Sequence, residues 1–490
     1  MGITDSLRKH LQTFLRINEF SYADGGFDIS RLLTYRGNAA RNTILYNGDS
    51  YEIEQFFGQL INHSNSFWGA AQTKGLEIRK MHTGLPRLMV NTLANITIAD
   101  LNDIEFEKSS DAEYWKDVST ENNFERLLKK ATRDVLKVGD GAFKISFSDK
   151  ISNNPIIEFY SGDAVDYIYQ RGRVKEVIFY NKYNHDGKQY TLKETYGYGY
   201  ITYSLYKGDD ATATIDLNEI PETAGLENVI FDSSVILAVP YMIFESDTYK
   251  GRGQSIFDGK HDAFDALDEV VSQWNDAIRS GRVMTYIPQS LIPRNTDSGA
   301  LLFPNAFDNK FIKIGDNLSE GASNQIEVRQ PDIKVEAYNT TYCTYLDLCL
   351  QGIISPSTLG IDVKKLDNAE SQREKEKTTL YTRQSIIDGL APSIKSLIQA
   401  VFNARALQEH GIIEEIDFEV SFGEYANPSF EAQIEVLSNP SAPMSIESKV
   451  DELWGDSKSK EWKEEEVARI KTEHGILVVD EPTFTVDYSE

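Results

Sequence analysis

The feature that most constrains the fold is a pair of predicted helices separated by a strand-rich segment. The apolar residues of the first helix recur at spacings of three and four, as on one face of an amphipathic helix: Phe264, Leu267, Val271, Trp274 and Ile278. About fifty residues of Pro-punctuated, strand-like sequence follow, and a second helix is predicted over about 335–352. A polar loop then leads into a long charged helix from about Asn368. This order is more typical of the wall of a passage built from many copies than of an enzyme pocket.

The start of the first helix is predicted at a Gly-rich turn, Gly251-Arg-Gly-Gln-Ser255, with Ser255 as the N-cap. The turn is not a dinucleotide fingerprint, because the third glycine is absent. It is not a P-loop either, because no Gly-Lys-Ser or Gly-Lys-Thr follows. We therefore expect a structural turn at this place.

In the first half of the chain, helical periodicity gives way to strand-like alternation after Gly139-Asp-Gly141. Helices are predicted at about 52–66, 85–98 and 123–137. Strands are predicted at about 142–148, 156–160, 164–170, 174–183 and within 189–206, and Arg171-Gly172 suits a hairpin tip. The tyrosines of the last segment favour sheet packing over a stacking platform for single-stranded nucleic acid, because few basic residues lie among them.

The second half is predicted to be mainly helical. A long helix over about 371–410 carries apolar residues at coiled-coil-like spacing, and Pro392 should kink it. Three short helices are predicted at 428–437, 445–454 and 462–473, before an acidic tail. Together with the strands of the first half, this organisation predicts an α+β fold.

The composition restricts the possible partners. The chain has 490 residues and a formal net charge of −26. Such a charge argues against a protein that grips nucleic acid over its whole surface, but a like-charged wall suits a conduit for a polyanion. There is no apolar run of about 18 residues to span a membrane, and the N-terminus lacks the apolar core of a signal peptide. Cys343 and Cys349, six apart on a predicted helix, are expected to be buried thiols in a reducing compartment.

No catalytic constellation emerges from the sequence. The first helix carries four acids close together, Asp262, Asp265, Asp268 and Glu269. Two interpretations are open: the acids form a metal site, or they stabilise the helix through its dipole. We favour the dipole and predict no catalytic residue, metal or cofactor. Nearby basic residues admit two interpretations, a solvated surface or sparse phosphate contacts along a channel: Lys260, Arg279, Arg282, Lys364 and Lys365.

Short segments in a fixed order carry a family resemblance. They are Val138-Gly-Asp-Gly-Ala-Phe-Lys144, Gly251-Arg-Gly-Gln-Ser-Ile-Phe257 running into 265–274, Asn368-Ala-Glu-Ser-Gln-Arg373, and Ile446-Glu-Ser-Lys-Val450 followed by 464–470. From about Glu52 to about Gly475 the chain resembles the portal proteins of tailed double-stranded DNA bacteriophages, of the type found in Gram-positive siphophages.

The resemblance implies a ring, usually of twelve subunits, at one vertex of the capsid, with a portal fold of clip, stem, wing and crown. It assigns 1–250 to an N-terminal region and the wing, 251–282 and 334–354 to the stem, and 283–333 to the clip. It assigns 355–368 to a tunnel loop, 369–425 to a long kinked helix with return strands of the wing, and 426–490 to the crown helices and tail.

The resemblance also implies roles for individual residues. The DNA-facing tip of the tunnel loop would be Asp362, Val363, Lys364 and Lys365. The basic residues of the stem and tunnel would be Lys260, His261, Arg279 and Arg282. The docking surface of the clip would include Arg294, Lys310, Lys313 and Arg329.

The implied partners are those of a DNA-packaging vertex. They are double-stranded DNA passing through the channel, the terminase large subunit, a head-completion or adaptor protein, and the major capsid and scaffolding proteins, with no membrane. The protein would be made in the bacterial host cytoplasm and reside in the virion at the portal vertex, without catalysis of its own. Two alternatives stay open: a hydrolase of carbohydrate-active type with paired carboxylates, and another capsid-associated ring or adaptor protein.

Overall fold

The chain divides into two compact units, residues 1–422 and 423–490. The residues that the computed structural model describes are 34–58, 66–70, 72, 78–148, 151–208, 213–281, 284–292, 311–315, 326–330, 332–361, 369–409, 412–423, 445–454 and 460–473. Helices and mainly antiparallel strands both occur among them, so the predicted α+β class is confirmed.

Helices form the first part of the larger unit. They are α1 (Tyr35–Asn47), α2 (Ser50–Gly58), α3 (Leu85–Ile98), α4 (Ser109–Glu121) and α5 (Phe124–Val138), with the short strand β1 (Glu105–Phe106) before α4. Thr34 caps α1, since its Oγ1 accepts a hydrogen bond from the Gly37 N–H at 3.1 Å. The apolar stripe predicted for α5 faces the core, where Leu128 and Ala131 are fully buried.

Two sheets follow α5. The first has the order β10-β2-β3, from β2 (Asp140–Ser148), β3 (Ser152–Ser161) and β10 (Ala238–Met242). The second runs β4 (Val165–Gln170), β5 (Arg173–His185), β6 (Lys188–Gly197), β7 (Tyr200–Lys207) and β8 (Thr214–Ile215), with β9 (Val229–Ile230) also paired to β7. Arg171 and Gly172 have positive φ and form the hairpin tip between β4 and β5, as predicted. Tyr190 and Tyr196 are buried, which favours the sheet-packing interpretation of the tyrosines.

The predicted helical hairpin and its β insert are both present. The helices are α6 (His261–Ser280) and α7 (Val335–Leu350). Between them lies a three-stranded sheet with the order β12-β11-β13, from β11 (Met284–Pro288), β12 (Phe311–Ile314) and β13 (Glu327–Arg329). The central strand pairs in parallel with β12 and antiparallel with β13.

The long helix α8 (Ala369–Gln408) packs on the first sheet. Leu390, Ile394 and Leu397 are fully buried there. Gly389 permits the close approach, since a Cβ at this position would lie 2.9 Å from the Ile243 Cα. The helix continues through Pro392, and β14 (Phe418–Glu419) returns to pair with β1.

The smaller unit contains α9 (Ile446–Trp454) and α10 (Lys460–Glu473). The predicted start of α9 is confirmed, because Ser445 Oγ accepts a hydrogen bond from the Ser448 N–H at 3.1 Å. An ion pair between Glu447 and Lys471 links the two helices. The helix predicted at 428–437 lies outside the described residues.

The first helix of the hairpin begins at His261, so the prediction that it opens at 251–255 is wrong. Ser255 is not its N-cap. Ser255 Oγ donates to the Lys137 carbonyl at 2.6 Å, and the Ile256 N–H donates to the Leu136 carbonyl at 3.0 Å. The Gly-rich turn therefore caps the C-terminal end of α5, whose last carbonyls lack partners within the helix.

Arg252 holds this turn in place. Its Nε and Nη2 donate to the two oxygens of the fully buried Asp140 at 2.9 and 2.8 Å. The remaining N–H groups donate to the carbonyls of Val165 and Gly162 and to Asp166, so all five guanidinium donors have acceptors. Its Cζ lies 3.7 Å from the centre of the Tyr35 ring. We call residues 251–253, with this arginine at the centre, the Gly-Arg-Gly latch.

The latch crosses the start of β2 without intervening side chains. A Cβ on Gly253 would lie 2.1 Å from the Gly139 carbonyl oxygen, and a Cβ on Gly139 would lie 2.4 Å from that of Gly253. Gly139 also has a φ of 122°, which disfavours other residues. The backbones around Gly139 and Gly253 are therefore in direct contact. The Gly253 N–H also donates a hydrogen bond to the side chain of Asp140, 113 residues away in the sequence.

Substitution of Gly253 by Ala should destabilise the larger unit. The new methyl group would collide with backbone rather than with a movable side chain, so we expect a loss of about 3 kcal/mol. Urea unfolding followed by near-ultraviolet circular dichroism measures the change. The matched control is Gly58→Ala at the end of α2, where a Cβ meets nothing within 4 Å. Equal unfolding midpoints for the two variants would contradict the close crossing.

Candidate functional site

The hairpin of α6 and α7 is closed at both ends. At one end, Lys260 Nζ donates to the carbonyls of Leu348 and Gln351 at 2.8 and 2.9 Å, and so caps the end of α7. At the other end, a Cβ on Gly281 would lie 2.5 Å from the Ile333 side chain. The two helices are therefore antiparallel, and the β module leaves and rejoins the hairpin at adjacent points.

The middle of the hairpin is packed by rings and aliphatic groups. Trp274 and Tyr338 stack with centroids 6.0 Å apart and an interplanar angle of 6°. Nearer the start of α6, Phe264 and Leu267 are buried in one cluster with Leu346. Packing weakens toward the insert, since Ile278 at the end of the predicted stripe is 50% exposed.

The charge of the hairpin is strongly one-sided. Its two helices carry a single basic residue of the Lys or Arg type, Arg279, which is half-buried. They carry seven acids: Asp262, Asp265, Asp268, Glu269, Asp276, Glu336 and Asp347. Asp262, Glu336 and Asp347 are exposed. A phosphate group near the hairpin would therefore be repelled along most of the hairpin's length.

Two of the acids are internal and clamp a neighbouring segment. Asp268 is fully buried, and its carboxylate accepts hydrogen bonds from Trp68 Nε1 at 3.0 Å, His82 Nδ1 at 2.7 Å and the Thr83 N–H at 2.9 Å. One turn earlier, Asp265 accepts from the backbone N–H groups of Phe67 and Trp68. Burial raises the pKa of Asp265, although these two N–H groups oppose the rise. We call this arrangement the Asp268 clamp.

Sequence reasoning missed the clamp, although the sequence carries a signal for it. Asp268 stands four residues after Phe264 and three before Val271, and so falls on the apolar stripe itself. An acid on a buried face needs partners, because an unpaired charge there is costly. The partners could not be found from the sequence, since Trp68 and His82 lie about 190 residues away.

The predicted basic residues have different outcomes. Lys260 is used to cap α7, as described. His261 packs between elements, with its Nε2 2.6 Å from Asn42 Oδ1. Burial, helped by the charge of Arg41, lowers the pKa of His261 to about 3. This histidine is therefore neutral near pH 7, and its predicted place among the basic residues of the stem and tunnel stays a prediction.

Most of the other predicted site residues lie outside the described residues: Arg282, Arg294, Lys310, Asp362, Val363, Lys364 and Lys365. Lys313 and Arg329 stand on β12 and β13 of the insert. The first residues of the predicted tunnel loop, 355–368, pack against α8. Ser355 and Pro356 are buried, and the Ser355 N–H donates to Thr379 Oγ1 of α8 at 2.8 Å. These first residues are therefore anchored to α8, and residues 362–368 of the predicted loop lie outside the described residues.

Both cysteines lie on α7 of the hairpin. Cys349 is buried and Cys343 is half-buried, and both are free thiols. Burial raises the pKa of Cys349 to about 12, with a further contribution from Asp268. Within the described residues, no group of three or more His, Cys, Asp or Glu side chains is placed to hold a metal ion. None of the helices in that part of the chain is long and apolar enough to cross a membrane.

Comparison with known proteins gives matches among solved structures alone. No family model matches the chain. No curated protein matches it.

Among solved structures, the chain is similar to one from the "Virion of native gene transfer agent (GTA) particle". The identity is 12%, the TM-score is 0.38, and the match covers 75% of this chain and 89% of that one. It is also similar to a chain from the "Neck of native GTA particle computed with C12 symmetry", at 11% identity and TM-score 0.37, with 77% and 88% covered. A chain from the "Neck of empty GTA particle computed with C6 symmetry" matches at 14% identity and TM-score 0.36, with 76% and 90% covered. At these scores the function must be argued from the chain's own residues.

Substitution of Asp268 by Ala should release the clamp and destabilise the hairpin. His82 and the Trp68 indole N–H would lose a buried partner, so we expect a loss of about 3–5 kcal/mol in the free energy of unfolding. The control is Asp262→Ala on the same helix, where the side chain is exposed. Its effect should stay below about 1 kcal/mol. Urea unfolding of both variants tests this, and similar losses would contradict the clamp.

Proposed function

We propose that this chain is a structural component of a phage-like virion, and specifically its portal protein. About twelve copies would form a ring at one capsid vertex, and double-stranded DNA would pass through the central channel during packaging and ejection. The ring would also be the platform for the terminase motor and for head-completion or tail proteins. The chain itself would perform no chemistry.

The observation that carries this proposal is the helical hairpin with a β module inserted between converging helix ends. Because Gly281 and Ile333 touch, the module is an excursion from the hairpin rather than part of the core. An element of this kind can extend a channel along its axis while the helices line it. We assign α6 and α7 to the stem and the β11–β13 sheet to the clip.

The electrostatics favour a conduit for DNA rather than a surface that binds DNA. The exposed acids of the hairpin repel phosphate, and the whole chain carries −26. Twelve copies would carry roughly −312, which keeps a polyanion away from the wall. A protein that held DNA tightly would show the opposite sign, because neutralised phosphates provide most of the affinity.

The rigidity of the hairpin base supports the same function. The Gly-Arg-Gly latch fixes the chain ten residues before α6, and the Asp268 clamp fixes α6 itself to residues 67–83. A closed ring needs each copy to present the same angle between its two interfaces, since a small error in rotation prevents closure. The Arg252–Asp140 ion pair and the hydrogen bonds to Asp268 restrict that angle.

The purified full-length protein should assemble into rings. We expect particles near 665 kDa, about twelve times the 55.4 kDa chain, in mass photometry, and a central channel in negative-stain electron microscopy. Particles that stay monomeric at every concentration, without a channel, would contradict the proposal. They would favour the acidic hydrolase, whose signature is loss of activity on replacement of single acids.

Excision of the insert should shorten the ring without preventing its assembly. In the variant, a short Gly-Ser linker replaces residues 283–333, which the convergence of Gly281 and Ile333 permits. Electron microscopy should show rings of unchanged diameter that lack density at one end. The matched control carries the same linker in place of residues 209–212, between β7 and β8, and should keep that density. Rings of full height in the excised variant would contradict the assignment of the insert to the clip.

A further inference from the structure

A polar cavity of about 260 Å³ lies apart from the hairpin faces, between α1, the loop after β10 and the residue that begins α6. Its lining includes Asn38, Arg41, Thr248, Tyr249, Gln254 and His261. Neither the latch nor the clamp uses this space. Its volume admits a small ligand and excludes a folded chain.

Arg41 is the unusual group in this cavity. Its Nη2 donates to Asn38 Oδ1 at 2.7 Å, but its Nε is buried and has no hydrogen-bond partner among the described residues. Burial lowers the pKa of Arg41 although the charge of Asp258 opposes the change. A buried guanidinium N–H without an acceptor is costly, and native structures seldom leave one so.

Two of the neighbouring groups already pair with other residues. Asp258 accepts from Asn38 Nδ2 at 2.7 Å and from the Ser255 N–H at 3.1 Å. His261 is neutral and pairs with Asn42. Arg41 Nε therefore has no acceptor among the described residues, whereas its Nη2 has Asn38.

Further donors line the same space. The structure gives no hydrogen bond to the hydroxyls of Tyr249 and Thr248 or to the side-chain amide of Gln254 within the described ranges. An acceptor in the cavity could thus bind the Arg41 guanidinium on one side and neutral donors on the other. A planar guanidinium fork matches the paired oxygens of a carboxylate or phosphate.

We propose that this cavity binds a small oxyanion, a phosphate or carboxylate group, with Arg41 as its anchor. Tyr249, Thr248 and Gln254 donate to the remaining oxygens. The site takes one small group rather than a DNA backbone, because its volume of about 260 Å³ admits only a small ligand. This site is independent of the proposed passage of DNA.

Isothermal titration of the full-length protein with inorganic phosphate, and separately with acetate, tests the proposal in low-salt buffer. We expect saturable binding of at least one probe, and the tighter one identifies whether the group is a phosphate or a carboxylate. Arg41→Gln should weaken binding roughly tenfold or more, because it removes the charge. Arg126→Gln, an exposed arginine on α5 away from the cavity, is the matched control and should bind as the unmodified protein does.

A second variant tests the same cavity in case Arg41→Gln folds poorly. Thr248→Trp retains Arg41 and places a large side chain from an exposed loop position into the cavity, so it should also abolish binding. The proposal is overturned if neither probe gives saturable heat, or if either variant binds as tightly as the control. Electron microscopy of the same samples reports ring assembly separately, so failure of the oxyanion site and failure of the portal function are distinguishable.

Discussion

The placement of the hairpin depends on one buried ion pair, Arg252 with Asp140. The arginine ties together the start of β2, the start of β4 and the turn before α6, and its five donors are all satisfied. Burial alone would lower the pKa of Arg252, but its hydrogen bonds and charge interaction with Asp140 raise it overall. The pair fits because Gly139 and Gly253 let two backbones touch. Arg252 and Asp140 each need the other, because a buried charge without its partner is strongly destabilising.

The acids of this chain serve two physically different purposes. Asp140 and Asp268 are fully buried and accept several hydrogen bonds each, so they fix distant segments to one another. Asp262, Glu336 and Asp347 are exposed on the hairpin, where their negative charge faces the surroundings. The same residue type therefore provides rigidity inside and repulsion outside. The proposed channel would need both, because its wall would have to hold its shape and release its cargo.

Much of the fold could be predicted from the sequence, whereas less of the site could. The stripe of α5, the hairpin tip at Arg171-Gly172 and the β module between two helices follow from local periodicity and turn chemistry. The predicted start of α6 was wrong. Serine is a common N-cap residue, but Ser255 instead donates a hydrogen bond to the Lys137 carbonyl of α5. His261 was grouped with the basic residues, and its burial makes it neutral near pH 7. Both outcomes arise from contacts with residues more than 100 positions away.

The sequence by itself determined the α+β class, the order of helices and strands, and the excess of negative charge, because these depend on each residue and its near neighbours. Only the tertiary structure decided which acids are structural, what the Gly-Arg-Gly motif does, and that Arg41 Nε is left without an acceptor among the described residues. Those outcomes depend on desolvation and on hydrogen-bond partners that the fold brings together from distant segments. A motif such as Gly251-Arg-Gly-Gln-Ser255 shows which conformations are possible, and the residues packed around it decide which one is used.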